Sequence, residues 1–382
     1  MAKLSTREMI ERLIAEPSVS AVDPALDMSN GPVIDHLANW LEHEGWSVER
    51  MPLADGKANL LATLGRGSGG LVLSGHSDTV PCDEHLWSSD PFSAEERDGR
   101  LYGLGSCDMK SFFALAIAAA RRFSASDLKE PLMLLATADE ETGMDGARAL
   151  VEAGRPRARH AVIGEPTGLR PVRMHKGSAW SRLELTGRSG HSSVPSLGIS
   201  ALDGMHAALG AIMDVRQSLA SRHQHPALTP PHPTLNLARV QGGDNPNRIC
   251  GHCTLDYDIR VTPGLNAGTV RGEVEEAVAT VLEGRGLRVA HSSLCPDVPP
   301  FETDASSALV QAVESLTGHA SEGVSFGTEA PFLTQLGMQT VVLGPGDIDV
   351  AHQPDEFLPL ERVAPMVDLL EKLVGRFCVE AS

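Results

Sequence analysis

Five times along this 382-residue chain, an apolar run stops at a glycine-rich or polar loop that carries an acid or a histidine. The contexts are Leu71-Val-Leu-Ser-Gly-His76-Ser-Asp78, Gly103-Leu-Gly-Ser-Cys-Asp108-Met-Lys110, Leu132-Met-Leu-Leu-Ala-Thr-Ala-Asp-Glu140-Glu141, Ala161-Val-Ile-Gly-Glu165-Pro-Thr, and Val341-Val-Leu-Gly-Pro-Gly leading on to His352. Short apolar runs closed by such loops read as buried strands, and a parallel sheet presents side chains just past the carboxyl ends of its strands. Ahead of them lie helical stripes, Met9, Ile10, Leu13 and Ile14, then Val33, Ile34, Leu37, Trp40 and Leu41 behind Pro32. The spacing predicts an apolar helix from about Lys110 to Phe123.

The expected fold is α/β: a mainly parallel sheet with helices on both faces, plus a second domain. From Ala179 the pattern changes to strand, helix, strand, strand, helix, strand. The helices show Leu202, Met205, Leu209, Ile212 and Met213 on one stripe, then Val270, Val274, Val278 and Leu282 on another. Cys253, Leu255, Tyr257 and Ile259 alternate with Thr254, Asp256, Asp258 and Arg260, a strand with one dry and one wet face. This βαββαβ order is ferredoxin-like. After Phe301 the α/β pattern returns. We therefore expect a catalytic domain from residues 1–178 and 296–382, with 179–295 inserted as a lid and dimerisation domain.

The chain carries 50 acidic and 32 basic side chains, a net charge of −18, with no basic run, which argues against nucleic acid or anionic membrane as a partner. No stretch has signal-peptide or membrane-span character, and six cysteines in a chain of this length need no disulfides. The expectation is a cytoplasmic enzyme. Cys250 and Cys253 form a lone C-x-x-C inside a strand pattern, which reads as structural.

Six residues, His76, Asp108, Glu140, Glu141, Glu165 and His352, read together as a centre for two divalent ions. Asp108, Glu141 and Glu165 offset three of the four positive charges, a hydroxide the fourth, and two neutral histidines complete a mixed N/O set that suits zinc, with cobalt or manganese compatible. Asp78, two residues after His76, is placed to hold the imidazole in one tautomer. Glu140 and Glu141 point apart at a strand end, so Glu140 is left to take a proton from the attacking water. The expected reaction is hydrolysis of an amide or related acyl bond. Alone, each residue has a plainer reading: Asp108 as a helix N-cap, Glu140 and Glu141 as a solvated turn, the histidines as loop residues.

His76-Ser-Asp78-Thr-Val-Pro, Gly103-Leu-Gly-Ser-Cys-Asp108-Met-Lys, Asp139-Glu-Glu-Thr-Gly and Gly164-Glu-Pro-Thr resemble the dimetal aminoacyl hydrolases, the family of aminoacylases, desuccinylases and carboxypeptidases. The resemblance covers essentially the whole chain. Gly242-Gly-Asp-Asn-Pro-Asn-Arg-Ile-Cys250, Gly327-Thr-Glu-Ala-Pro-Phe332 and Ala351-His-Gln-Pro-Asp-Glu356 are most similar to its branch acting on N-acetylornithine.

The resemblance implies one metal on His76, Asp108 and Glu165 and the other on His352, Asp108 and Glu141, with Asp108 bridging and Glu140 as base. It also implies a homodimer and a small N-acyl amino acid substrate, N-acetyl-L-ornithine foremost. His191 would reach the partner subunit's site as an oxyanion donor, although the sequence alone makes it a turn residue. Asn247 and Arg260 match substrate-binding positions, Arg260 suiting a carboxylate, or else an ion pair with Asp256 or Asp258. Thr328 and Glu329 are the candidates for the far end of the substrate, Glu329 facing its ammonium. Cys107, beside a ligand, reads as sensitive to oxidation. Two alternatives stay open: a broader N-acyl-amino-acid hydrolase or dipeptidase, and an inactive metal-dependent dimeric scaffold.

Overall fold

A computed structural model describes residues 3–380 of the chain, which form two compact units. The first holds the chain up to Arg173, Thr303–Glu322, and everything from Thr328 on; the second holds Met174–Glu302 and Gly323–Gly327.

At the centre of the first unit's sheet stand four parallel strands, in the order Leu132–Thr137, Leu71–His76, His160–Ile163 and Gln339–Val342. Beyond Leu132–Thr137 come two antiparallel strands, Ala58–Leu64 and then Ser47–Pro52. On the other side Val172 pairs antiparallel with Val342. The sheet is therefore mixed, where the sequence predicted a mainly parallel one. The link at 53–57 between the two outer strands is too short for a crossover, so they can pair only as a hairpin.

The parallel strands are buried on both faces, which is why they read as unbroken apolar runs. Alternate residues serve opposite layers. Leu71, Leu73, Leu132, Leu134, Val162 and Val341 join one core with helices Thr6–Ile14, Gly31–His43, Ser111–Ala120, Ala308–Thr317 and Val363–Val374. Val72, Met133, Leu135, Ala161 and Val342 are equally buried but stand outside that core, and helices Asp145–Ala153 and Ala330–Gln335 pack together in a separate layer. The apolar helix begins at Ser111 and ends at Ala120, shorter at both ends than its sequence pattern implied.

Two glycines let the strand ends close. A Cβ on Gly164 would sit 2.0 Å from the Phe112 ring, and one on Gly344 would sit 2.2 Å from the Gly164 carbonyl oxygen. These glycines are needed for close backbone approach rather than for an unusual backbone angle.

In the second unit a four-stranded antiparallel sheet runs in the order Arg288–Ser293, Gly177–Thr186, His252–Val261, Thr234–Gly242. Helices Ala201–Arg222 and Ala267–Leu282 lie on its dry face, with Met205, Ala208 and Ile212, then Val270, Val274 and Val278, against Leu183, Leu185, Leu255, Tyr257 and Ile259. The chain order is βαββαβ, and this strand order is the one that a split βαβ arrangement produces. Among the described residues, no helix is long and apolar enough to cross a membrane.

Replacing Gly164 with alanine should force Phe112 out of place and lower the stability of the first unit by about 1–3 kcal/mol. A urea midpoint equal to wild type would show that the strand end has room that this packing denies.

Candidate metal centre

Three of the four parallel strands deliver their candidates directly. His76 is the last residue of its strand, Glu140 and Glu141 follow Leu132–Thr137, and Glu165 follows His160–Ile163 by two residues. His352 arrives from Gln339–Val342 by a longer loop and has φ +60, a left-handed conformation uncommon for a residue with a Cβ. Asp108 comes by another route: it follows a small separate hairpin, Glu95–Arg97 with Arg100–Tyr102, and leads into the helix at Ser111. The expectation of a fifth sheet-strand end is corrected there. Asp108 does not cap that helix either, since the N-cap position belongs to Lys110.

The side chains converge. His76 Nε2 lies 3.0 Å from Asp108 Oδ1 and 3.8 Å from Glu165 Oε1. His352 Nε2 lies 2.9 Å from Glu141 Oε1 and 3.4 Å from Asp108 Oδ2. Asp108 thus turns one carboxylate oxygen to each histidine. His76, Asp108 and Glu165 form one group of candidate ligands, and Asp108, Glu141 and His352 a second, with ligand atoms in each within 4.8 Å of one another. His76, Glu140 and Glu141 satisfy the same limit, which keeps Glu140 beside the other ligands.

Whether cations fit can be read from the polar atoms themselves. His76 Nδ1 donates to the Asp78 backbone carbonyl at 2.9 Å, which aims the lone pair of Nε2 at Asp108. Two acceptors facing each other at 3.0 Å repel unless a proton or cation lies between them. Glu165 Oε1 and Asp78 Oδ1 are buried with no hydrogen-bond partner, an unusual condition for carboxylate oxygens. Donor atoms about 2.0–2.2 Å from a zinc ion stand about 3.3–3.6 Å apart in a tetrahedron, close to the separations seen. The donor set fits two divalent ions.

The charge balance agrees. Burial pushes Glu140 well above the usual carboxylate range, and neighbouring Glu141, Asp78 and Asp108 add to it. Burial does the same to Glu165, reinforced by Asp108. Asp108 is also buried, but hydrogen bonds from His352 and His76 outweigh that and hold it low. Burial lifts Asp78 to about 6. So much negative charge in one buried place calls for positive charge to accompany it.

Asp78 departs from its expected role in detail. Its backbone carbonyl fixes the His76 tautomer; its carboxylate stays 3.8 Å from Nδ1 and instead accepts from the Glu141 amide at 3.2 Å. Glu329 lies deeper. It is wholly buried, with one oxygen accepting from Ser74 Oγ at 2.8 Å and the other from the Thr137 hydroxyl. Both oxygens thus bind hydroxyls on the strands that carry His76 and Glu140. Thr328 is buried beside it and accepts from the Ala330 amide. Cys107 is no reactive thiol: it is buried, its Sγ donates to the Asp347 carbonyl, and burial pushes its pKa far up.

In the second unit, His191 and Asn247 lie on adjoining loops, joined by a hydrogen bond from the Ser192 amide to the Asn247 carbonyl. The Ser193 amide donates to His191 Nδ1, which leaves the proton of the neutral ring on Nε2. Arg260 Nε donates to Asp258 Oδ2 at 3.0 Å.

Three supporting residues escaped the sequence reading. Lys57 is buried and binds Asp139, at 2.5 Å, and Asp27, at 2.8 Å. Asp139, at φ +60, immediately precedes Glu140, so this ion pair fixes the turn that carries Glu140. Glu356 accepts from the Cys107 and Asp108 amides. Lys110, wholly buried, gives its Nζ to the Glu16 carbonyl. Alternating apolar neighbours gave no signal for any of these.

Comparison with known proteins comes to the same place. Residues 72–376 match the family described as peptidase family M20/M25/M40. The chain belongs to this family. A Pasteurella multocida protein named acetylornithine deacetylase is 47% identical over 373 residues, spanning 97% of both chains. An M20 metallo-carboxypeptidase from Sulfolobus solfataricus superposes with a TM-score of 0.78 at 16% identity, covering 97% of this chain and 99% of its own. A Bacillus subtilis protein described as a dinuclear metal-binding M20 peptidase gives 0.68 at 17%, covering 97% of each chain. At those identities the M20 structures speak for the fold alone.

Hydrogen bonds to Asp108 and Glu141 raise His352 to about 10, and Asp108 likewise raises His76 against its burial. Both rings are therefore protonated near neutral pH in the metal-free protein, whereas a metal ligand must be neutral. Metal uptake should release protons and tighten as pH rises from about 6 to about 8. Titration calorimetry in buffers of different ionisation enthalpy will show this as a buffer-dependent heat; equal heats in all buffers would contradict it.

Proposed function

We propose that the chain is an acetylornithine deacetylase, hydrolysing the acetyl amide of N-acetyl-L-ornithine to L-ornithine and acetate in the cytoplasmic route to arginine. The observation that carries this reading is the Asp108 carboxylate, with one oxygen turned to each histidine and Glu140 close by, in a chain 47% identical to a protein of that name.

The ligand set proposed is His76, Asp108 and Glu165 for one ion and Asp108, Glu141 and His352 for the other. Zinc suits the mixed nitrogen and oxygen donors best, with cobalt or manganese as substitutes. When bound, such ions lower the pKa of water and polarise the carbonyl under attack.

The chain's own residues do the rest. Glu140 takes the proton from the attacking water and passes it to the leaving amine. Its buried, acid-crowded surroundings raise its basicity, as a proton carrier requires. Asp78 holds His76 in register through its carbonyl and steadies the Glu141 backbone through its carboxylate. Lys57 and Asp139 keep Glu140 from swinging away. His191, with its proton on Nε2, serves as the donor to the developing oxyanion, reaching the neighbouring subunit's centre in a homodimer. Asn247 and Arg260 are assigned to the substrate carboxylate; Arg260 engages Asp258 only through Nε, so its terminal nitrogens remain for that grip.

Replacing Glu140 with glutamine should leave two metals per chain and lower kcat on N-acetylornithine by about 100- to 10,000-fold. Full turnover by that variant would remove Glu140 as the base. Assay of wild type on N-acetylornithine, N-acetylmethionine and dipeptides should rank the first highest, and preference for a dipeptide would replace the proposed substrate while keeping the chemistry.

A further inference from the structure

Glu356 lies four residues after His352 and is 1% exposed. Its Oε1 accepts from the Cys107 amide at 2.8 Å and from the Asp108 amide at 3.0 Å. Its own backbone carbonyl accepts from the Gly103 amide at 3.1 Å, so side chain and main chain grip one loop. A buried carboxylate ordinarily pairs with a cation, and the nearby Lys110 instead gives its Nζ to the Glu16 carbonyl. Glu356 is held by backbone amides, in the manner of an anion in a nest of N–H groups.

The consequence falls on Asp108. Its side chain leaves from a backbone whose amide is pinned by Glu356, and that side chain presents a different oxygen to each histidine. A small rotation of this backbone would draw both oxygens off target together. The segment that supplies His352 also supplies the pin, so the two ligands His352 and Asp108 are set by one piece of chain.

We propose that Glu356 is a positioning residue that fixes the shared aspartate against both metal sites by the reach of its carboxylate; the inference rests on the two-metal reading above. Reach and charge can be separated. Glu356→Asp keeps the charge and withdraws the carboxylate by one methylene, whereas Glu356→Gln keeps the reach of an acceptor oxygen and removes the charge.

Cobalt(II) titration of metal-free protein, followed by visible absorption, gives the affinities without assaying turnover. The thermal midpoint of each metal-free protein is recorded alongside. Glu356→Asp should bind cobalt about 10- to 100-fold more weakly at both sites, and Glu356→Gln no more than about threefold more weakly, with metal-free midpoints close to wild type. The proposal is overturned if the Gln variant loses as much affinity as the Asp variant, or if neither loses any. It is also overturned if the Asp variant does not fold or its midpoint falls in step with its affinity, because Glu356 would then be a scaffold residue. Wild-type protein that took up no cobalt would remove the two-metal reading itself, an outcome distinct from all of these.

Discussion

The structure is organised around one unfavourable arrangement, several buried carboxylates crowded at the ends of adjacent strands. Asp78, Asp108 and Glu165 are withdrawn from water with Glu140 half-buried beside them, and Glu165 keeps an oxygen with no hydrogen-bond partner. In an interior of low polarity that much negative charge is tolerated only with compensating positive charge. Asp108 is the pivot, because its two oxygens face His76 and His352 from opposite sides. Everything nearby either aims a ligand or prevents one from moving.

The fold does this with strand ends and close backbone contacts. Four parallel strands start in register and end within two residues of one another, and glycines at 164 and 344 let the loops beyond them pass within touching distance. Beneath the ligands, Glu329 ties Ser74 to Thr137 and so braces the two strands that carry His76 and Glu140. Around the rim, the Lys57–Asp139 pair and the Glu356 carboxylate hold the turns. The candidate ligand atoms are few, but the residues that orient them come from almost every part of the first unit.

Much of this could be read before any coordinates, and the reason is local. His76, Glu140, Glu141 and Glu165 each stand within a few residues of a strand buried on both faces, so sequence neighbours announce both the strand and the side chain at its end. The outer strand Ser47–Pro52 gave no such signal because most of it is exposed and polar residues interrupt its apolar ones. Asp108 was found, but through glycine-rich punctuation rather than a strand end. Glu356 and Lys57 stayed hidden because their partners lie 249 and 82 residues away, a distance no local pattern spans. The partners of Glu329 stayed hidden for the same reason: a carboxylate before a short helix looks solvated until two distant hydroxyls close over it. For Asp78, sequence pointed to the right residue and could not distinguish its carboxylate from its carbonyl.

The central claim is that one aspartate joins two cations. Anomalous diffraction from crystals of zinc-loaded protein, recorded at the zinc edge, tests it most directly. The account predicts two peaks per chain, one against each oxygen of Asp108, the first beside His76 and Glu165 and the second beside Glu141 and His352. A single peak, or two peaks that do not share Asp108, would contradict it.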